Sequence, residues 1–276
     1  MSKDLNIDWF LEIAGDSSTR EHVLATNKAR NKSLMSNEFS GNHDVLELDL
    51  MGFKIYSEIS SAPCTLELFQ EIFWENNHLN FLSNEEIKDC VIDVGANCGL
   101  FVLKLKSIQP DLKILAIEAN PYVFEILKLN CEKNNLTNVH LTNQAVSNKG
   151  GFINFNVFRQ MHTLSGAGLS GESRSWINDD YIEKIECKCD ALDNIVDTHI
   201  IDSVSLLKID TEGMERNILE GSIRTLNMTK YCVIERHSLA DREYIISFMN
   251  NNNFQLLGEE DPELQCYYAD MSFEKT

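Results

Sequence analysis

An apolar run that ends in a short glycine turn and reopens as an apolar segment, Val91-Ile92-Asp93-Val94-Gly95-Ala96-Asn97-Cys98-Gly99-Leu100-Phe101, narrows the choice of fold more than any other stretch of this chain. Short apolar runs bounded by turn signals suit strands buried on both faces, and a strand feeding a helix through glycine opens a βαβ unit. Glycine lets the backbone turn sharply and approach a ligand, while the amides opening the next helix receive negative charge. A second run, Lys113-Ile114-Leu115-Ala116-Ile117-Glu118, ends on an acid about 20 to 30 residues further on, where nucleotide-binding βαβ units place a carboxylate on ribose hydroxyls. Gly95 and Gly99 are separated by Ala96-Asn97-Cys98, so the G-x-G-x-x-G dinucleotide fingerprint is missing, which weighs against NAD.

From residue 91 onward strand and helix patterns alternate, with strands at 91–94, 114–117 and 139–143 and helices at 100–108 and 122–134. That order predicts a doubly wound, mostly parallel sheet covered by helices. Residues 151–158 and 185–189 read as further β structure interrupting the alternation. Between them, 160–178 contains Ser165-Gly166-Ala167-Gly168-Leu169-Ser170-Gly171, which suits a lid or acceptor-binding loop as well as a segment with no function. Strands at 204–209 and 231–235, helices at 214–219 and 240–250, and a terminal strand pair at 254–257 and 265–269 complete this half.

The stretch up to about residue 41 reads as polar and irregular, apart from an amphipathic segment around Trp9, Phe10, Leu11 and Ile13. Residues 45–50 and 53–56 read as a hairpin around Met51-Gly52. Residues 65–74 place Leu66, Phe69 and Phe73 at helix spacing, either as a packing helix or as a cover over a bound ligand. Two regions are expected: an N-terminal extension of helical and hairpin elements at 1–80 and one catalytic domain at 81–276.

With 43 acidic against 24 basic residues the net charge is −19, so the chain lacks the cationic surface on which nucleic-acid affinity rests. No apolar run is long enough to span a membrane, and Met1-Ser2-Lys3-Asp4-Leu5-Asn6 lacks the pattern of a signal peptide; a cytoplasmic protein without a membrane partner is expected. The eight cysteines form no C-x-x-C pair and read as reduced, partly buried thiols. Cys187-x-Cys189 has no second pair or nearby histidine cluster, so no metal ligand is assigned to it.

Asp93-x-Gly95-x-x-x-Gly99 followed by Glu118 resembles the first two cofactor motifs of S-adenosylmethionine-dependent methyltransferases. Glu118-Ala119-Asn120-Pro121 and Lys208-Ile209-Asp210-Thr211-Glu212-Gly213-Met214-Glu215 are similar to the E-x-x-P and K-x-D-x-E-G-x-E signatures of the FkbM methyltransferase family. The resemblance covers residues 90–237. It implies an α/β, Rossmann-like class I methyltransferase fold, with a mostly parallel central sheet, helices on both faces and an N-terminal extension. It also implies S-adenosyl-L-methionine as cofactor. On that resemblance Gly95 and Gly99 shape the turn, Asp93 holds the ammonium of the methionine portion, and Asn97 contacts its carboxylate. Glu118, with Ala119 beside it, accepts the ribose hydroxyls, and Gln144 and Ala145 border adenine.

Methyl transfer requires an acceptor aligned with the methyl group and a destination for the acceptor's proton; an alcohol benefits from a base, whereas a carboxylate does not. Asp210 is the first candidate for base or acceptor-orienting residue, Glu212 the second and His237, whose ordinary pKa is near neutrality, the alternative base. Structural readings compete: Asp93 as a turn former, Glu118 as a solvated strand end, Glu212 and Glu215 as residues favoured at a helix start, His237 as a packing residue. A divalent metal is compatible with the sequence and not required by it. The expected activity is O-methylation of a sugar or natural-product hydroxyl on a small-molecule or carbohydrate acceptor. The alternatives are a carboxyl or protein methyltransferase, a nucleotide-dependent oxidoreductase and a non-catalytic S-adenosylmethionine-binding module.

Overall fold

The computed structural model describes residues 5–36, 41–166, 178–261, 263 and 269–276. The chain opens with helices α1 (Ile7–Ile13) and α2 (Ser17–Ser36), a hairpin of β1 (Val45–Leu50) and β2 (Phe53–Glu58), and α3 (Ala62–Phe69), which runs on into a π-helical turn at Gln70–Trp74. Helix α2 fills the stretch expected to be irregular. It contains no Gly or Pro that would stop it, and its apolar residues are too few to print a helical period. Met51 and Gly52 both have positive φ, 53° and 81°, the backbone a two-residue hairpin turn requires.

The first half of the main sheet is β3 (Cys90–Val94), α4 (Leu100–Ile108), β4 (Lys113–Glu118), α5 (Pro121–Lys133) and β5 (Val139–Asn143). An insertion follows, comprising β6 (Ala145–Ser147), β7 (Gly151–Phe158), β8 (Ser165–Gly166), β9 (Ile182–Ala191) and α6 (Leu192–Thr198). The second half is β10 (Val204–Ile209), α7 (Glu215–Glu220), α8 (Ile223–Asn227), β11 (Thr229–Arg236), α9 (Leu239–Asn251), β12 (Phe254–Glu259) and β13 (Ala269–Lys275). The last strand therefore begins where the sequence reading ended it, and residues 264–268 lie outside the described residues.

The main sheet has the order β12-β13-β11-β10-β3-β4-β5; the pairs from β11 to β5 are parallel, and β13 runs antiparallel to both its neighbours. This is the expected α/β arrangement of a mostly parallel central sheet with helices on both faces. Every residue of β3 and β10 is buried, as strands covered on both faces must be. Alternate side chains feed two cores: Val91, Leu206 and Val233 pack with α4, α5 and the N-terminal elements, while Ile92, Leu207 and Ile234 pack with α6, α7 and α9. The first core also contains Phe10, Leu48, Leu66 and Phe69, so the N-terminal elements share it with the sheet. The insertion forms a separate sheet, ordered β6-β9-β7-β8. Of the expected loop at 160–178, residues 167–177 lie outside the described residues. No helix among the described residues is long and apolar enough to cross a membrane.

Asparagines on α5 take the place of a third strand beside the hairpin. Asn130 Oδ1 accepts from Tyr56 N at 2.6 Å, and its Nδ2 donates to Tyr56 O at 3.2 Å and Cys98 O at 2.8 Å. Asn134 repeats the exchange with Lys54, at 2.9 and 2.7 Å. Asn130 is fully buried, so Asn130→Ala leaves one N–H and two carbonyls without partners. We expect a loss of about 3 kcal/mol, read from the denaturant midpoint at unchanged m-value.

Candidate active site

Register brings the site together. Val94 pairs with both Ile117 and Ile209, and Ile209 with Ile234, so one row crosses four adjacent parallel strands. Gly95, Glu118, Asp210 and Glu235 each follow a member of that row, at the carboxyl edge of the sheet beside the point where strand order reverses. Ligands of open α/β sheets bind at this position.

The turn after β3 is held by the Ile117 carbonyl, which accepts from Gly95 N at 2.9 Å and Ala96 N at 3.0 Å. Gly95 has φ +80°, and a Cβ on it would lie 1.7 Å from the Asp210 carbonyl oxygen, so only glycine fits between the two strand ends. Each Glu118 oxygen accepts one backbone N–H at 2.8 Å, Oε2 from Asn97 and Oε1 from Asn120. Burial pushes this carboxyl up to about 7, against the pull of those two donors. The residues present fit S-adenosylmethionine: a desolvated carboxylate with lone pairs to spare, beside a turn that admits no side chain, is what a vicinal diol requires.

The second motif builds the opposite wall. Lys208 is buried and bridges Asp93 at 3.1 Å and Asp210 at 3.4 Å, also donating to Gly95 O at 3.2 Å. Burial opposes its charge, yet the two carboxylates hold it well above the usual lysine range. Glu212 and Gly213 turn the chain with positive φ, 52° and 101°, and Glu215 Oε1 fastens that turn by accepting from Thr211 N at 3.3 Å, Thr211 Oγ1 at 3.1 Å and Gly213 N at 3.1 Å.

Protons distribute unevenly across Asp210, Glu235 and His237. Their desolvated setting opposes ionisation of Asp210, but Lys208 and a hydrogen bond from Glu235 hold it well below the usual carboxylate range. Burial and the Asp210 charge push Glu235 well above that range, so of the two carboxyls Glu235 holds a proton the more firmly. His237 Nε2 lies 2.9 Å from Glu235 and 3.7 Å from Glu212, and Nδ1 lies 3.1 Å from Glu215. Burial favours the neutral ring, but Glu215 and Glu235 override it and push the imidazole up to about 12. Metal-capable atoms of Asp210, Glu235 and His237 come within 4.8 Å of one another, although a cation there would have to displace the His237 proton and compete with Lys208.

A cavity of about 260 Å³ joins the two walls. It brings together Gly95, Asn97, Glu118, Ala119, Gln144, Ala145, Asp210, Glu212 and His237 from the sequence reading. Asp93 and Gly99 do not line it: Asp93 is wholly buried against Lys208, and Gly99, at φ +86°, precedes α4 over Leu127. Glu235 from β11 and Phe155 from β7 line it with no role given by the sequence, while Thr163 and Ser165 belong to the stretch read as a lid, an acceptor-binding loop or a segment with no function. Helix α3 buries Leu66 and Phe69 as a packing helix does, and Cys64, Glu67 and Leu68 on it line the cavity together with Glu71 of the turn that follows. Cys187 and Cys189 are buried thiols that point to carbonyls of Ala119 and Lys149.

Residues 93–256 match the methyltransferase FkbM domain. The chain is 25% identical over 218 residues to 31-O-demethyl-FK506 methyltransferase FkbM of Streptomyces tacrolimicus, covering 71% of this chain and 84% of that protein. It is 23% identical over 202 residues to methyltransferase sdnD of Sordaria araneosa, covering 64% and 75%. Among solved structures, TYW2 of M. jannaschii in complex with AdoMet aligns with a TM-score of 0.45 at 14% identity, over 86% of this chain and 89% of that one. The domain match spans more than half of the sequence and contains both strand-end motifs, so the chain belongs to the FkbM family and is an S-adenosylmethionine-dependent methyltransferase.

Proposed function

We propose that this enzyme methylates a hydroxyl oxygen of a small natural product or sugar. The observation that carries this reading is the charge of the cavity. Apart from Glu118, its charged lining among the described residues is Glu67, Glu71, Asp210, Glu212, Glu235 and His237, with no Lys or Arg among them. A carboxylate acceptor would enter against like charge, since the lining cation, His237, is already engaged by Glu212, Glu215 and Glu235, at a cost of several kcal/mol. A neutral hydroxyl meets no such barrier and finds acceptors for its proton. The relative named for an O-demethylated acceptor supports oxygen as the target.

Glu118 accepts the two ribose hydroxyls, the turn at Gly95 and Asn97 receives the methionine portion, and Gln144 with Ala145 borders adenine. When bound, S-adenosylmethionine supplies an electrophilic methyl group on a sulfonium. Asp210 accepts the hydrogen bond of the acceptor hydroxyl and orients its lone pair toward the methyl. As a weak base it takes the proton late, because an alkylated oxygen is far more acidic than a free alcohol. Lys208 is a positioning residue that keeps Asp210 ionised, and Asp93 acts through Lys208. His237, holding its proton at pH 7, balances Glu212 and Glu215 instead of serving as the base. Glu212 borders the acceptor.

The test is methyl transfer from isotopically labelled cofactor to a panel of small alcohols, sugars, carboxylic acids and amines, with products identified by mass spectrometry. Ethers are expected; methyl esters or N-methyl products would contradict the reading. The Glu118 assignment adds a pH dependence. Binding through two donated hydroxyl hydrogen bonds selects the ionised carboxylate, which in the free protein forms on raising pH through about 7. Cofactor affinity is expected to fall by up to about tenfold per pH unit below that point and to level off above it. Titration calorimetry at about pH 6 and about pH 8 measures this, and equal affinities would remove Glu118 from the ribose.

A further inference from the structure

Away from the sheet edge, three metal-capable side chains meet from three separate segments: His43 ahead of β1, Glu58 at the end of β2 and His162 between β7 and β8. His43 Nδ1 lies 3.1 Å from Glu58 Oε2 and His162 Nδ1 2.9 Å from Glu58 Oε1. The imidazoles stack face to face, with centroids 4.0 Å apart and planes 5° from parallel. Tyr122 stacks on His162 at 4.3 Å and 16°. Ser61 Oγ donates to Glu58 at 3.4 Å, and Ser60 Oγ lies 3.5 Å from His43 Nδ1. The stack holds the His162 ring between His43 and Tyr122, and Ser60 and Ser61 surround the same His43 and Glu58 atoms that face each other.

Among the described residues no Lys or Arg pairs with Glu58; the charges that act on it are the two imidazoles. Ligand atoms around a tetrahedral ion with bonds of about 2.0–2.1 Å lie roughly 3.4 Å apart. The three groups offer such atoms within 4.8 Å of one another, and because an ion lies in the plane of each imidazole that binds it, the more exposed His43 ring must rotate out of its stack on His162 to complete the site. Two imidazole nitrogens and one carboxylate suit zinc or cobalt(II) and not magnesium or calcium. Glu58 and His162 are 10% exposed and His43 37%, which leaves one open side for ion entry and for a water in the fourth position.

We propose that His43, Glu58 and His162 bind one divalent transition-metal ion of the zinc class. The ion would fasten the N-terminal hairpin to the segment that walls the cofactor cavity. His162 O accepts from Asn120 Nδ2 at 2.8 Å, Asn120 N donates to Glu118, and Thr163, Leu164 and Ser165 line the cavity. Loading the site therefore tightens S-adenosylmethionine binding without touching the methyl group.

The test is titration of the chelator-treated full-length protein with cobalt(II), followed by ligand-field absorption. One equivalent with tetrahedral intensity is expected. His43→Gln and His162→Gln should each weaken it by more than the roughly 100-fold that loss of a group behind a metal ligand can cost, while Glu235→Gln should leave it unchanged. His43→Gln sits at the exposed rim and guards against a folding failure at His162, with unfolding in chelator as the check. Absence of binding, binding that survives both histidine variants, or binding lost in Glu235→Gln would overturn the proposal; the last outcome would place the ion at Asp210 instead.

Discussion

Gly95→Ala is expected to destabilise the protein by about 3–5 kcal/mol and to abolish measurable cofactor binding. Two independent effects add. The residue sits at φ +80°, where an L side chain costs about 1–2 kcal/mol. Its Cβ would also stand 1.7 Å from the Asp210 carbonyl oxygen, which is backbone and cannot swing aside. The strands on either side are pinned by parallel pairing of Val94 with Ile117 and Ile209, so relief requires prising β3 from β10 at the point where the cavity begins. Denaturant unfolding measures the first consequence and calorimetry with S-adenosylhomocysteine the second. A variant of wild-type stability and affinity would show that the two strand ends do not approach as closely as described.

Asp210→Asn is expected to lower kcat by about 1000-fold, the middle of the range for general-base contributions, while the KM for S-adenosylmethionine stays nearly constant. The amide keeps the shape and still meets Lys208, whose main partner, Asp93, is untouched at 3.1 Å. It cannot take up the acceptor's proton as the carbon–oxygen bond forms. The split between kcat and KM separates this role from a structural one, because a loosened fold would weaken cofactor binding as well. Steady-state kinetics at saturating cofactor measure it, and an unchanged kcat would take Asp210 off the proton's route.

The parts of the fold legible in the sequence are those with a strong local period. The strands at 90–94, 113–118 and 204–209 are near-continuous apolar runs because helices cover both faces. Each ends on a chemically distinctive residue, so Gly95, Glu118 and Asp210 could be marked before their register was known. Helix α2 was hidden because the stripe it buries, Thr19, Val23, Thr26 and Arg30, is mostly polar. The asparagine contacts between α5 and the hairpin span 74 and 80 residues of sequence and follow no local rule.

Within the site, what the sequence misses is pairing across strands. Lys208 and Asp93 are 115 residues apart, and parallel pairing places them side by side. That contact withdraws Asp93 from the cavity. The reading of His237 as a base rested on an ordinary imidazole pKa, which fails once Glu215 and Glu235 flank the ring. Glu235 is pushed upward by its burial and by the proximity of Asp210, a property of neighbouring strand ends that no one-dimensional pattern carries.

Calorimetric titration of S-adenosylmethionine into the wild-type protein and Glu118→Ala tests most directly whether the turn after β3 and the acid ending β4 form the cofactor site. Two charge-assisted hydrogen bonds are removed, so binding at one equivalent in the wild type and an affinity about 100-fold weaker in the variant are predicted. Equal affinities in the two proteins, or binding of NAD in place of S-adenosylmethionine, would contradict it.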